Sequence, residues 1–130
     1  MPSFTLTVSG ERNPALIAQA VPALTSIGVE TLHKRADLTV VTVRFVPRED
    51  WFIDNTSLAQ MGLESFRLEV TITEGTNTRE EKAAFHERAF ATLERLIGNV
   101  HHHSSIHVVD CRGDSYGYGG VTQDRRFHRG

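Results

Sequence analysis

Between residues 3 and 8 the chain reads Ser-Phe-Thr-Leu-Thr-Val, with Phe4, Leu6 and Val8 alternating with Ser3, Thr5 and Thr7. A period of two puts the apolar set on one face, which predicts a half-buried strand. Asn13-Pro14 then supplies a helix cap and a proline at the first helical position, where its missing N–H costs nothing. Leu16, Ala20, Leu24 and Ile27 continue at helical spacing to about Leu32, and Pro22 predicts a kink or a short break. Val40 to Val46, rich in β-branched residues, predicts a second strand with Val41, Val43 and Phe45 on one face.

The second half repeats this plan. Phe66, Leu68, Val70 and Ile72 alternate as a third strand, and Asn77-Thr78 opens a second helix. Its cap is Asn77, or Thr78 in a capping box with Glu81. Phe85, Ala89, Leu93 and Leu96 form its stripe, Gly98 is placed to end it, and Ile106 to Cys111 reads as a fourth strand. Phe4, Leu6 and Val8 fall on Leu68, Val70 and Ile72, and Asn13 on Asn77, at a constant offset of 64 residues. That register indicates an internal duplication. The expected fold is α+β: a single domain, residues 1–130, of two fused β-α-β repeats, approximately 2–64 and 65–126. Right-handed crossovers give a four-stranded sheet with both helices on one face. Thr5, Thr7, Arg67 and Glu69 make the other face mixed, and self-association is expected to cover it.

Composition narrows the function classes. A formal charge of -2 gives neither nucleic acid nor a membrane surface a reason to attract the chain. The basic stretch Arg125, Arg126, His128, Arg129 is the local exception and reads as a solvated tail. Cys111 is the single cysteine, so no intrachain disulfide can form, and its apolar strand pattern predicts a buried, inert thiol. No basic stretch precedes a long apolar run at the N-terminus, and no segment approaches 18 apolar residues. The expected location is cytoplasmic.

Chemistry points to the N-terminus. If Met1 is removed, Pro2 presents a secondary amine at the start of a strand, and a nearby cation such as Arg12 would favour its neutral form. Arg12 could also clamp a carboxylate through its planar fork. His101, His102 and His103 diverge as neighbours in a loop, without a partner at metal-site spacing, so no metal is expected. The glycines at 113, 117, 119 and 120 lack a following helix pattern and predict tight turns and close packing rather than a phosphate cradle. Glu49-Asp50 reads as a solvated turn.

Met1-Pro2, Arg12, the Ile72-Thr73-Glu74-Gly75 turn, the Arg79-Glu80-Glu81-Lys82 helix start and Tyr116-Gly117-Tyr118-Gly119-Gly120 together resemble the 4-oxalocrotonate tautomerase family of the tautomerase/MIF superfamily. The offset resembles a fused, double-length member. The resemblance implies a cofactor-independent keto-enol tautomerase in which Pro2 acts as general base and then general acid on a small enol or 2-keto carboxylic acid. It assigns the carboxylate to Arg12 and pocket walls to Trp51 and Tyr116, and it implies a homotrimer. Phe52 and Tyr118 extend those walls, and Arg44 stands four residues beyond Val40, which holds the place of a family arginine. Phe66 stands where the second copy's proline would be, and Thr76 where its arginine would be. Proline-dependent dehalogenation or decarboxylation is the alternative chemistry, and a non-enzymatic trimeric scaffold the alternative role.

Overall fold

The computed structural model describes residues 2–128. Strand β1 (Ser3–Ser9) leads into helix α1 (Pro14–Leu32), which returns the chain to β2 (Val40–Val46). A short hairpin, β3 (Phe52–Ile53) and β4 (Thr56–Ser57), and one helical turn, α2 (Leu58–Met61), close the first half. The second half repeats the order with β5 (Phe66–Thr73), α3 (Arg79–Ile97), β6 (Ser105–Cys111), the hairpin β7 (Gly117–Tyr118) and β8 (Val121–Thr122), and α4 (Gln123–His128). One sheet carries the order β2-β1-β5-β6, with parallel outer pairs and an antiparallel centre in which Ser3 faces Thr71 and Val8 faces Phe66. The expected α+β architecture is therefore observed.

The alternating residues build the core. Phe4, Leu6, Val8, Phe66, Leu68, Val70 and Ile72 are buried against Leu16, Ala20, Leu24 and Ile27 of α1 and Phe85, Ala89 and Leu93 of α3. Phe4 meets Phe85 edge-on, with ring centroids 5.8 Å apart. Register with the core strands puts Val40, Thr42 and Arg44, then Arg67, Glu69, Ser105 and His107, on the opposite face, which is largely polar. Cys111 pairs with Thr73 on that face and is half-buried, so it does not enter the core as its apolar neighbours suggested.

Other local expectations change. α1 runs unbroken through Pro22, which is exposed; the carbonyl it leaves without an N–H partner belongs to Ala18, also exposed to water. Among the described residues α1 is the one helix long and apolar enough, by length and composition, to cross a membrane. Counting uninterrupted apolar residues missed this because Gln19, Thr25, Ser26 and Glu30 break the run. Its buried stripe instead lies on the sheet. Thr78, not Asn77, caps α3: its hydroxyl accepts from Glu81 N at 3.1 Å while Glu81 returns to the Thr78 N–H. Asn77 instead donates to the Leu32 carbonyl at the end of α1. The repeat therefore keeps an offset of 64 through β1 and β5 and 65 from the helices onward, with one extra residue before α3. Residues 123–128 form a helix rather than a loose tail; Arg129 lies outside the described residues.

Candidate functional site

The antiparallel centre of the sheet separates the predicted site residues. Pro2 is buried at the head of β1, and its carbonyl accepts from Val40 N at 3.2 Å. Met1 lies outside the described residues. β1 then runs seven residues away, about 20 Å at ordinary strand rise, before Arg12 appears, exposed, in the turn ahead of Asn13. Arg44 faces Thr7, whose other partner is Arg67, so it too lies toward the far end of β1. Trp51 and Phe52 line a cavity with Phe66, the partner of Val8. Within one chain, Pro2 thus lies toward the end of β5 to which Tyr116 is tied through Thr73, while Arg12, Arg44, Trp51 and Phe52 belong to the opposite end.

The Pro2 end is assembled by long-range contacts. Ser3 faces Thr71, so the β1–β5 register, carried one residue further, directs Pro2 toward Ile72. The Thr73 hydroxyl is 2.5 Å from the Tyr116 hydroxyl, which anchors the C-terminal hairpin to β5. Arg126 lies with its guanidinium carbon 3.8 Å from the Tyr118 ring centroid and donates to the Tyr118 carbonyl at 2.6 Å. Lys34, just past α1, reaches across to Thr76 Oγ1 at 2.9 Å. Burial holds Lys34 below the ordinary lysine value, while Glu81 and Asp110 pull the other way. Arg35 is clamped by Asp37 at 3.0 and 2.6 Å; that pairing raises it, with a smaller contribution from Tyr118.

Thr73, Thr76, Gln123, Arg126 and Phe127 line a cavity of about 420 Å³ at this end. Two buried polar atoms of its lining, Gln123 Oε1 and Arg126 Nε, have no partner among the described residues. Such atoms carry a desolvation cost that a polar ligand atom or water could relieve. The loop before the hairpin is braced by Arg112, which donates to Asp114 at 3.1 and 2.9 Å. That contact, with Ser115, lowers the Asp114 carboxyl to about 2, so the brace persists until strongly acid pH.

Lys34, Arg35 and Arg126 were missed by the sequence reading. The available signal was the cation pair between α1 and β2, because Val40 starts β2 beside Pro2. Arg126 was visible only as part of the basic stretch read as a solvated tail, since its place depends on α4 folding back to Tyr118. Among the described residues no group of three or more His, Cys, Asp and Glu side chains is placed to hold a metal ion.

The hairpin tolerates little change. A Cβ built on Gly117 would stand 1.9 Å from the Val121 carbonyl oxygen and 2.6 Å from Thr122 Cα. Gly117→Ala is expected to pry β7 from β8 and lower stability by about 1–3 kcal/mol, as overpacking does. Hydrogen exchange at Tyr118 and Val121 should accelerate in that variant while exchange in β1 and β5 stays slow; unchanged hairpin protection would contradict the packing described.

This arrangement of tandem β-α-β units is the fold of fused 4-OT structures and of a macrophage migration inhibitory factor-like protein. A fused 4-OT wild-type asymmetric trimer superimposes with a TM-score of 0.81 at 15% identity, covering 94% of this chain and 96% of that one. The structure of Pt0534 inactivated by 2-oxo-3-pentynoate matches with a TM-score of 0.80 at 14% identity, again covering 94% and 96%. The macrophage migration inhibitory factor-like protein of Entamoeba histolytica matches with a TM-score of 0.71 at 14% identity over 93% of this chain and 97% of that one. No protein-family model and no curated protein sequence matches the chain.

Proposed function

We infer that the chain is a cofactor-independent tautomerase of small enol or 2-keto carboxylic acids, working from Pro2 as a homotrimer. The observation that carries this reading is the burial of Pro2 at the head of β1, at the sheet end where Tyr116, Tyr118, Lys34, Arg35 and Arg126 converge. With Met1 removed, burial and these cations would favour the neutral amine, the form a general base needs at neutral pH. Pro2 would take a proton from the enol acid and return it at carbon as the ketone forms. Arg126, its Nε free of a described partner, is the best-placed cation within the chain to receive a carboxylate or the developing oxyanion. Arg12 would serve only if a neighbouring subunit's far sheet end is brought to Pro2. Four fused 4-OT structures of this fold are trimers, two symmetric and two asymmetric, which favours that assembly.

The inactivated neighbour supplies the probe. Treatment with 2-oxo-3-pentynoate, a small acetylenic 2-keto acid, should place one adduct on the amino-terminal proline, located by peptide mass spectrometry. Enol-to-ketone conversion of phenylenolpyruvate and 2-hydroxymuconate should be lost in step with labelling. Retention of Met1 on the mature chain, or labelling elsewhere with activity intact, would remove Pro2 from the mechanism.

A further inference from the structure

The opposite end of the sheet carries a second cavity built from corresponding parts. Leu58 N donates to the Trp51 carbonyl at 2.9 Å, and Gln123 N to the Tyr116 carbonyl at 2.8 Å, so both hairpins are held by the same bond 65 residues apart. Phe66 holds the place of Pro2 at the strand offset of 64. The Trp51 hairpin encloses a volume of about 580 Å³ with Phe66, Arg67, His103 and Ser105. That lies within the range of small-ligand sites, about 300–1,000 Å³. Phe66 is fully buried and offers no amine, so the cavity keeps its walls and loses proton transfer.

We propose that this cavity is a binding-only site for a small carboxylate with a flat apolar body. Phe52 is 60% exposed in the chain, an unusual state for a large apolar side chain beside a concavity, and such a body would cover it. The rim offers donors suited to a carboxylate. Arg67 stands between Thr7 and Ser105 on the open sheet face, in the same row as Arg44. The carboxylate facing them is Glu69, which accepts from Arg67 at 3.2 and 2.5 Å and is held below its usual range by that pairing, with His107 and Arg44 adding to it. With Asp54 of the hairpin counted beside Glu69, the charges of this patch balance, so an anion would be drawn by the Arg67 guanidinium and by the His103 donor of the α3–β6 loop rather than by net charge. Asp54, exposed at the tip of the hairpin, is the carboxylate of the lining itself and places the anion at the Arg67 side. The proposal does not depend on Pro2 chemistry, and a tautomerase without this site and a binding site without tautomerase activity give different results below.

Trp51 is the sole tryptophan of the chain, so its emission reports on this cavity and not on the tyrosine-walled end. Titration with phenylacetate should give a saturable emission change, matched by calorimetry, with at least ten-fold weaker binding of the neutral phenylacetamide. Arg67→Gln, a change at an exposed residue, should weaken phenylacetate to a similar degree with circular dichroism and oligomeric mass unaltered. Pro2→Ala should leave the titration as it was. A response lost in Pro2→Ala, an amide that binds as well as the acid, or no effect of Arg67→Gln overturns the proposal. So does an absent response with no binding heat, the result expected if a neighbouring copy of the chain fills the cavity.

Discussion

Phe85→Ala should lower the unfolding free energy by about 3–5 kcal/mol, the usual cost of truncating a buried phenylalanine. Phe85 is fully buried on α3, and its ring stands edge-on to Phe4, 5.8 Å away at 87°. It therefore ties the helix of the second half to the first strand of the first half. Alanine would remove that aromatic contact and leave a void ringed by residues that are themselves fixed by sheet register, so collapse around it is limited. Against a typical total of about 5–15 kcal/mol the loss is about a fifth or more. Urea unfolding at fixed protein concentration should show a lower midpoint at constant slope. A loss under about 1 kcal/mol would mean that the two halves do not share this core. The solvent-facing neighbour Glu87, changed to alanine in parallel, should move the midpoint little.

The strands and long helices were legible because each buries one face, which forces a period of two or of about 3.6 on the residues that pack. Thr78 was legible for the same local reason, since a capping box spans four residues. The extra residue before α3 was not, because Asn77 mimics a cap in sequence while its amide is engaged by the end of α1. The two hairpins were also hidden: strands of two residues cannot display alternation, although Asp54-Asn55 and Gly119-Gly120, all at positive φ, mark their turns. The site divides along the same line. Pro2, Tyr116 and Tyr118 are found through a resemblance of short motifs, and the structure brings their elements to one sheet end. Arg12 follows Pro2 closely in the chain, yet an extended strand carries it away at about 3.3 Å per residue. Lys34 and Arg35 are marked only by their place between α1 and β2, and Arg126 reaches that end through tertiary folding of α4 onto Tyr118.

Pro2→Ala should cut kcat/KM for ketonisation of phenylenolpyruvate by about 10²–10⁴-fold, the contribution of a positioned general acid–base. The substitution preserves an amino-terminal amine and the backbone carbonyl that accepts from Val40, so the head of β1 should hold its pairing. What is lost is the secondary amine and the ring that fixes its direction. A primary amine free to turn should meet the substrate proton less often, and the effect should fall mainly on kcat. Arg126→Ala supplies the contrast. Its guanidinium lies against Tyr118 at the cavity edge, so its removal should raise KM for the acid more than it lowers kcat, with 2-oxo-3-pentynoate still adding to Pro2 at a reduced rate. If Pro2→Ala, with Met1 shown to be absent and the fold intact, turned over substrate at the parent rate, the amine would not be the base. If instead Arg12→Ala alone raised KM, the carboxylate would be held across a subunit boundary, by the far sheet end of a neighbouring copy.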